Sequence, residues 1–339
     1  MANAYHPRSI SFILLIILGL FSVSGELKAA FSHEPLVPWF TINTKHFSIH
    51  FQEGSESDAK NVAKICEQVH IKLSKYFNWV PKKPTQVVII SRSDVANGTA
   101  TPIPFNTMTL YMTPSDDTGS DFESWLQHLI THEYTHILHL DKASGFIHTL
   151  RYFIGRHPFL FPNAWQPVWV IEGLATFRET DQVAQVGRGQ SSLYRMFMRN
   201  ESKNGLKPLT QINLPFRTWP AGMTRYLYGV YFFNFLRDTY GEDKIRHWIE
   251  NYSNNFIPMF LNRTAKQEFR KDMFSLWKEF EIYLEKAFLP ITQEIASKGI
   301  IEGDKITSSA YDTGYPQVMP NGDIYYIAND RLAQSRLML

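Results

Sequence analysis

The segment His132-Glu133-Tyr134-Thr135-His136 places two histidines four residues apart, with a glutamate directly after the first. On a helix, residues four apart share a face with Cβ atoms about 5–6 Å apart, so two imidazoles can converge on one metal ion. Glu133 is rotated by about 100° from His132 and can flank that ion, where a base takes a proton from water. This H-E-x-x-H pattern predicts one Zn²⁺ per chain, with Glu133 as the general base.

A catalytic zinc ion takes three protein ligands and keeps one open position for water. Glu172 is the candidate for the third ligand, because it lies in the apolar helical stretch Trp169–Phe177. A carboxylate there is costly unless it is paired or bound to a metal. Glu179 lies seven residues later on the same helical face, where it can hydrogen-bond the outer nitrogen of a ligand imidazole. The alternatives are a buried ion pair for Glu172 and a solvated position for Glu179.

Two more histidines lie near the same helical stripe. His128 is about 12 Å along the axis from His136, which is too far to share one ion. His139 is one turn beyond His136 and rotates away from His132. Both are therefore predicted to support the structure or the ligands rather than to bind metal. Asp141 is predicted to end the helix in solvent.

The helices and strands that position these residues can be predicted from the sequence. Together they indicate an α+β fold, with a small mixed sheet followed by a larger helical part. A helix is predicted at Ser57–Asn78, the zinc helix at Ser124–Leu140, and helical periodicity continues to about Ala296. Prolines at 104 and 114 flank the last of three predicted strands and favour a sheet edge for it. The strands are His46–Phe51, Thr85–Ser91 and Thr107–Met112.

The chain divides into three predicted regions. Residues 1–29 are typical of a secretory signal peptide, because a 14-residue, largely apolar run follows a basic start and precedes small residues. Residues 30–302 form the predicted catalytic domain, with a sheet subdomain at 30–118 and a helical subdomain at 119–302. Residues 303–339 predict a strand–turn–strand unit around Pro320–Asp323, and Ser335–Leu339 can begin a third strand.

Composition narrows the classes of function and partner. The formal net charge is only +2 and Cys66 is the one cysteine, so no nucleic-acid partner and no internal disulfide are predicted. No second apolar stretch is long enough to span a membrane once the signal peptide is removed. The protein is therefore expected to be exported, in the periplasm or secreted. An uncleaved signal anchor is the alternative, and the sequence leaves the oligomeric state open.

The segment His132–His136 together with Trp169–Glu179 resembles the gluzincin metallopeptidases, most closely the bacterial peptidase-MA-like family, over roughly Thr41–Ala296. The resemblance implies a zincin-like fold and a peptide or protein substrate. Relatives often continue into a Tol-type β-propeller, and the 303–339 segment resembles its start. In more distant members of this clan the third ligand follows the second histidine by fewer residues, so Lys142–Gln166 is expected to form an insertion near the cleft.

Two further expectations come from the same resemblance. Aminopeptidase N-like enzymes carry an oxyanion-donating tyrosine in a Y-x-K-G context, and this sequence has Tyr226-Leu-Tyr228-Gly229. Tyr226 is the predicted catalytic donor, Tyr228 is the second choice, and core packing of the tyrosine is the alternative. No G-x-M-E-N motif occurs between Gln86 and Asp121, which favours an endopeptidase over an aminopeptidase.

The same resemblance implies that the strand Thr107–Met112 binds extended substrate by strand addition. Two other functions remain open at this point. One is a zinc-containing binding or scaffold protein without turnover, which the presence of a base in the motif disfavours. The other is a zinc hydrolase that acts on a non-peptide substrate.

Overall fold

The computed structural model describes residues 37–114, 124–181, 183–184, 186–214, 219–257, 260–299, 303–308, 312–329 and 334–339. Over these ranges the chain has mixed α+β structure, with a five-stranded sheet, a set of helices and a separate three-stranded sheet. The predicted α+β class is confirmed. The predicted signal peptide at 1–29 lies outside the described residues.

The five-stranded sheet has the order β1-β2-β3-β5-β4. β3 pairs in parallel with β2 and β5, whereas β1 and β4 add antiparallel to the two sides. Its core strands are rich in β-branched and large apolar residues, and in β2 every second residue is buried, as expected for a sheet with one face in the core. The strands are β1 Trp39–Asn43, β2 Phe47–Gln52, β3 Thr85–Ile90, β4 Gly98–Thr101 and β5 Thr107–Tyr111.

The prediction that Thr107–Met112 lies at a sheet edge is wrong. β5 lies between β3 and β4, and the edge position belongs to Gly98–Thr101. The reason is a local hairpin, in which β4 folds back antiparallel on β5 with Thr101 opposite Thr107. The flanking prolines therefore mark the ends of β5 and not an exposed side.

Nine helices follow the chain through the described residues. Most carry apolar residues on one face, as surface helices do, whereas α2 is buried on almost every side. The helices are α1 Glu56–Phe77, α2 Trp125–Asp141, α3 Gly145–Ile154, α4 Val168–Glu179, α5 Ser192–Asn204, α6 Thr224–Tyr240, α7 Glu242–Tyr252, α8 Leu261–Phe269 and α9 Met273–Lys298. None of them is both long enough and apolar enough to cross a membrane.

Helix α1 connects the parallel strands β2 and β3 and packs between the sheet and α2. Its buried stripe includes Cys66, which is fully buried, and burial raises the pKa of that thiol above its ordinary value. At the end of the stripe the buried His70 shares a hydrogen bond of 2.6 Å, through Nδ1, with the Tyr134 hydroxyl. This bond ties α2, which carries the H-E-x-x-H motif, to the layer formed by α1 and the sheet.

Helices α4 and α6 approach each other closely at a pair of glycines. A Cβ added to Gly229 would lie 2.4 Å from the Cα of Gly173 and 2.7 Å from the carbonyl oxygen of Trp169. Both obstacles are backbone atoms, which cannot rotate away. The two glycines thus let α4 and α6 pack backbone to backbone, which sets the distance between Glu172 on α4 and Tyr226 on α6.

We expect Gly229→Ala to lower the melting temperature by about 4–8 °C and to weaken metal binding. An alanine gains about 1 kcal/mol of helix propensity, but overpacking against backbone costs about 3 kcal/mol, so the net effect is a loss of about 2 kcal/mol. Thermal unfolding and metal titration measure the two effects. Gly222→Ala is the control, because no atom lies within 4 Å of its added Cβ. Equal melting temperatures for both variants would contradict the packing argument.

Residues 142–166, the segment predicted to be an insertion near the cleft, connect α2 to α4 and are called the insertion below. It consists of α3 and two short 3₁₀ turns, Pro158–Leu160 and Pro162–Trp165. The prediction that Asp141 ends α2 in solvent is wrong, because its side chain is buried and is bonded by Trp79 Nε1 at 3.0 Å and by Arg156 Nη1 at 2.8 Å. The insertion supplies Arg151 and Arg156, and these two cations compensate the buried carboxylate.

The C-terminal residues form an antiparallel sheet of β6 Asp312–Val318, β7 Ile324–Asn329 and β8 Arg336–Met338. The turn between β6 and β7 is closed by the Gly322 amide, which donates to the Met319 carbonyl at 2.9 Å. This is the predicted strand–turn–strand unit, and the third strand is present as well. Val318 and Leu337 stay more than two-thirds exposed, at 73% and 71%.

Candidate metal centre

The two motif histidines lie one turn apart on α2 and point their Nε2 atoms to the same place. His132 Nε2 and His136 Nε2 are 3.1 Å apart, and both side chains are almost fully buried. The helix that carries them begins after Ser124, whose hydroxyl accepts from the Gln127 amide, and it runs through the core. Because both side chains are buried on nearly all sides, packing holds the two imidazoles in place without a bound metal ion.

Glu172 on α4 completes a triangle with the two histidines. Its Oε2 lies 3.4 Å from His132 Nε2 and 3.4 Å from His136 Nε2. A tetrahedral ion about 2.0–2.1 Å from each ligand requires ligand atoms about 3.3 Å apart. The three observed separations match that spacing, so His132, His136 and Glu172 could hold a metal ion. The spacing of these three side chains therefore fits the zinc ion that the sequence predicts.

Charge at the triangle favours a cation. Burial alone would raise the pKa of Glu172, but hydrogen bonds from His132 and His136 outweigh it and hold that pKa well below its usual range. At His132, burial lowers the pKa, but the negative charge of Glu179 and hydrogen bonds to Glu172 and Glu179 raise it to about 9. The same carboxylates that stabilise a proton here would stabilise a metal cation in its place.

Glu179, two turns along α4 from Glu172, supports His132 from behind. Its Oε2 lies 2.6 Å from His132 Nδ1, and its side chain is completely buried. A carboxylate can only accept, so Nδ1 carries a proton, and a metal would take the place of the proton on Nε2. Arg188 donates to both Glu179 oxygens, through Nε at 2.6 Å and Nη2 at 2.8 Å. The charge of Arg188 offsets burial and keeps the pKa of Glu179 well below its usual range.

Glu133 lies beside the triangle and is 5% exposed. Burial, the largest cause, raises its pKa above the ordinary glutamate value, which suits a group that must take up and release a proton. Gly98 at the start of β4 makes room for it: a Cβ there would lie 2.6 Å from Glu133 Oε1. The edge strand therefore forms the opposite wall against the carboxylate.

Tyr226, on the first turn of α6, lies beside His132 of the triangle. Its ring centroid is 6.3 Å from that of His132, and the Arg188 guanidinium covers the ring at 4.8 Å. The side chain is partly buried, and burial raises the pKa of the phenol, so the hydroxyl keeps its proton and can donate. Tyr228, the second choice, packs in the core instead, where its hydroxyl donates to Glu201 Oε2 at 2.5 Å.

His128 and His139 do not join the triangle. His128 Nε2 lies 3.5 Å from Oε1 of Glu179, the carboxylate that also bonds His132. His139 is fully buried and its ring stacks on Phe77. Burial lowers the pKa of His139 to about 3, so it stays neutral in the core. Neither histidine approaches the point on which the other three side chains converge.

A cleft of about 530 Å³ opens over the triangle. Its floor carries His132, Glu133, His136 and Glu172, and Tyr226 lies on one wall. Residues Ala96–Ala100 form the other wall, and within the described part of the chain β4 pairs only with β5. The cleft is thus bordered by an edge strand, along whose outer side an extended chain could be added.

Three features of the site were missed by sequence reasoning. Arg188 lies in a short 3₁₀ turn between two glycines, and no periodic pattern marks it as the partner of Glu179. The strand Gly98–Thr101 is only four residues long and contains no large apolar residue. The role of Gly98 could be recognised only from its contact with Glu133, which the sequence does not show. All three depend on long-range contacts.

Comparison with known proteins adds no family assignment, since no protein-family model matches the chain and no curated protein matches it significantly. What the chain does has to be inferred from the site itself.

Proposed function

We propose that this protein is a zinc-dependent peptidase that cleaves within peptide or protein chains. The observation that carries the proposal is the triangle of His132 Nε2, His136 Nε2 and Glu172 Oε2, with separations of 3.1, 3.4 and 3.4 Å, beside the buried Glu133. Two imidazoles and one carboxylate are the ligand set of a catalytic zinc ion with an open position. A structural site has no use for the adjacent base.

A zinc ion bound there would supply a Lewis acid and would lower the pKa of a bound water toward 7. The chain's own residues do the rest. Glu133 takes the proton of the attacking water and passes it to the amine that leaves. Burial raises the pKa of Glu133 above the ordinary glutamate value, which favours its taking up the proton that it later passes on.

Tyr226 is the proposed donor to the oxyanion that develops on the attacked carbonyl. Its phenol faces the cleft next to His132, and its raised pKa keeps the donated proton in place. Arg188 does not reach the substrate in this proposal. It holds Glu179, which in turn keeps the His132 ring in the tautomer that binds metal.

Substrate is proposed to bind along β4 as an added strand. The outer edge of Gly98–Thr101 borders the cleft, so main-chain hydrogen bonds would hold an extended peptide over the triangle. Such binding does not require a free amino terminus, which favours an endopeptidase. This assigns to β4 the role that the sequence suggested for the neighbouring strand.

The same proposal includes the finer structural assignments. The sheet followed by α2 and α4 is consistent with a zincin-like fold, with 30–302 as the catalytic domain. The three-stranded sheet at the C-terminus is consistent with the first strands of a propeller. Export to the periplasm or medium, with 1–29 as a signal peptide, is part of the proposal.

The test is incubation of the purified protein with a mixed peptide library, with and without a chelator, followed by mass spectrometry of the products. We expect internal cleavages that disappear with the chelator and return on addition of Zn²⁺. Zinc binding without any cleavage would favour a binding or scaffold protein. Chelator-sensitive hydrolysis of non-peptide esters or amides alone would favour a zinc hydrolase of another class.

We expect Tyr226→Phe to lower kcat by about 10²-fold, with little change in KM or zinc content. An oxyanion donor acts mainly in the transition state, and the phenyl ring preserves the packing under Arg188. Steady-state kinetics and elemental analysis measure the two parts.

Tyr228→Phe is the matched control for that variant. Its hydroxyl bonds Glu201 in the core, so removal should lower the melting temperature and leave kcat unchanged. An unchanged kcat for Tyr226→Phe would show that this tyrosine only packs.

A further inference from the structure

The insertion between α2 and α4 carries an outward-facing aromatic surface. On α3, Phe146, Tyr152 and Phe153 are 58%, 74% and 77% exposed, and only Ile147 is buried. Phe146 and Phe153 are seven residues apart and lie on one stripe of the helix. Surface helices ordinarily turn their large apolar residues to the core, so these outward-facing aromatic side chains indicate a binding surface.

A second apolar segment lies beside α3, in the loop that follows α7. Phe256 and Ile257 are 60% and 59% exposed, and the Phe256 ring is 6.0 Å from that of Phe146. The Phe146 amide donates to Asn254 Oδ1 at 2.8 Å, and the Ser144 amide donates to the Ser253 carbonyl at 3.2 Å. These bonds fix the two segments side by side.

We call the combined surface the aromatic face. It is defined by six exposed side chains: Phe146, Tyr152, Phe153, Ile154, Phe256 and Ile257.

The charge around the aromatic face is positive. Residues 142–171 contain no aspartate or glutamate, and neither do residues 76–93, which supply Lys82 and Lys83. Lys82 Nζ lies 5.8 Å from the centroid of the Tyr152 ring, so this basic pair borders the face. Glu250 on α7 is paired with Lys142. The face thus combines aromatic and aliphatic side chains with a cationic border.

We propose that the aromatic face binds the surface of a lipid bilayer that contains anionic lipids. Phe, Tyr and Ile side chains would enter the interfacial region, with α3 lying in its plane, and Lys82 and Lys83 would contact the headgroups. A second copy of the chain fits this surface less well, because a two-fold interface would bring the basic pairs of both copies together. The proposal does not depend on the metal or on hydrolysis.

The first test is flotation of the mature chain, without the predicted signal peptide, with vesicles of phosphatidylglycerol and phosphatidylcholine or of phosphatidylcholine alone. We expect binding to the anionic vesicles that weakens as salt is added. Combined Phe146→Ser, Tyr152→Ser and Phe153→Ser should weaken it by at least about 10-fold. Combined Lys82→Gln and Lys83→Gln should weaken it by about 10-fold on anionic vesicles only.

Phe274→Ser on α9 is the matched control, because Phe274 is 53% exposed and lies outside the aromatic face. It should float like the wild type. Absence of wild-type binding to both kinds of vesicle would overturn the proposal, as would a triple variant that binds like the wild type. A dimer that the triple variant turns into a monomer, without vesicle binding, would make the face an interface between copies.

A labelled variant locates the contact on the chain. Cys66 is the only cysteine and is fully buried, so a fluorophore on Thr149→Cys, between Phe146 and Phe153, reports from the aromatic face alone. We expect its emission to shift to the blue with anionic vesicles, with or without chelator. The same label on Ser297→Cys, at the exposed end of α9, should not shift. A shift at Ser297 and none at Thr149 would contradict the assigned orientation.

Discussion

The Glu133→Gln variant is expected to keep about one zinc ion per chain, whereas its kcat for hydrolysis should fall by about 10³-fold. This lies within the range of about 10² to 10⁴ that general bases contribute. Glutamine fills the same space beside Gly98 and His132 but cannot take a proton from water. Glu133 is not part of the triangle formed by His132, His136 and Glu172. The metal should therefore remain bound while the chemistry stops.

The measurement combines elemental analysis, kcat on a cleaved peptide and thermal unfolding. Glu268→Gln is the matched control, because Glu268 is also a buried glutamate but lies outside the cleft and bonds Lys244 and Asn251. It should affect stability and not kcat. A Glu133→Gln variant that hydrolyses peptides at the wild-type rate would contradict the proposed role of Glu133 as the base. A variant without zinc would place Glu133 among the metal ligands.

The sequence was sufficient wherever the signal is local. Helical periodicity and the spacing in His132–His136 predicted the helix that carries the motif to within one residue of Trp125–Asp141 at each end. Glu172 was recognisable because a carboxylate stands out in the apolar stretch of α4. In both cases the chemistry and the periodicity belong to one helix, so no knowledge of the packing was needed.

The sequence was insufficient wherever partners come from distant segments. Asp141 looks like a solvated helix end, yet Trp79 and two arginines of the insertion surround it. Residues 98–101 lack the apolar alternation of a strand, and only pairing with β5 makes them one. That missing strand is also why β5 was placed at an edge. Local patterns show which residues are polar or apolar, but they do not show which charged side chains pair with each other in the fold.

The order of effects on metal affinity provides the strongest test of the triangle. We expect Glu172→Ala to lower zinc affinity by more than about 10²-fold, because one of three ligands is removed. Glu179→Gln should lower it by about 10- to 100-fold, because the outer partner of His132 loses its charge but keeps an acceptor. Glutamine rather than alanine is used there so that the buried Arg188 keeps a hydrogen-bond partner.

Competition with a chelator of known affinity measures this order, and thermal unfolding without metal shows whether each variant folds. Glu294→Ala, at an exposed position on α9, should leave zinc affinity unchanged. Glu172 is 19% exposed and contacts the two histidines on the floor of the cleft, so its removal should cost the metal-free fold little. Full zinc occupancy in Glu172→Ala would move the third ligand elsewhere. An effect of Glu179→Gln larger than that of Glu172→Ala would mean that His132 orientation, rather than the carboxylate of α4, controls binding.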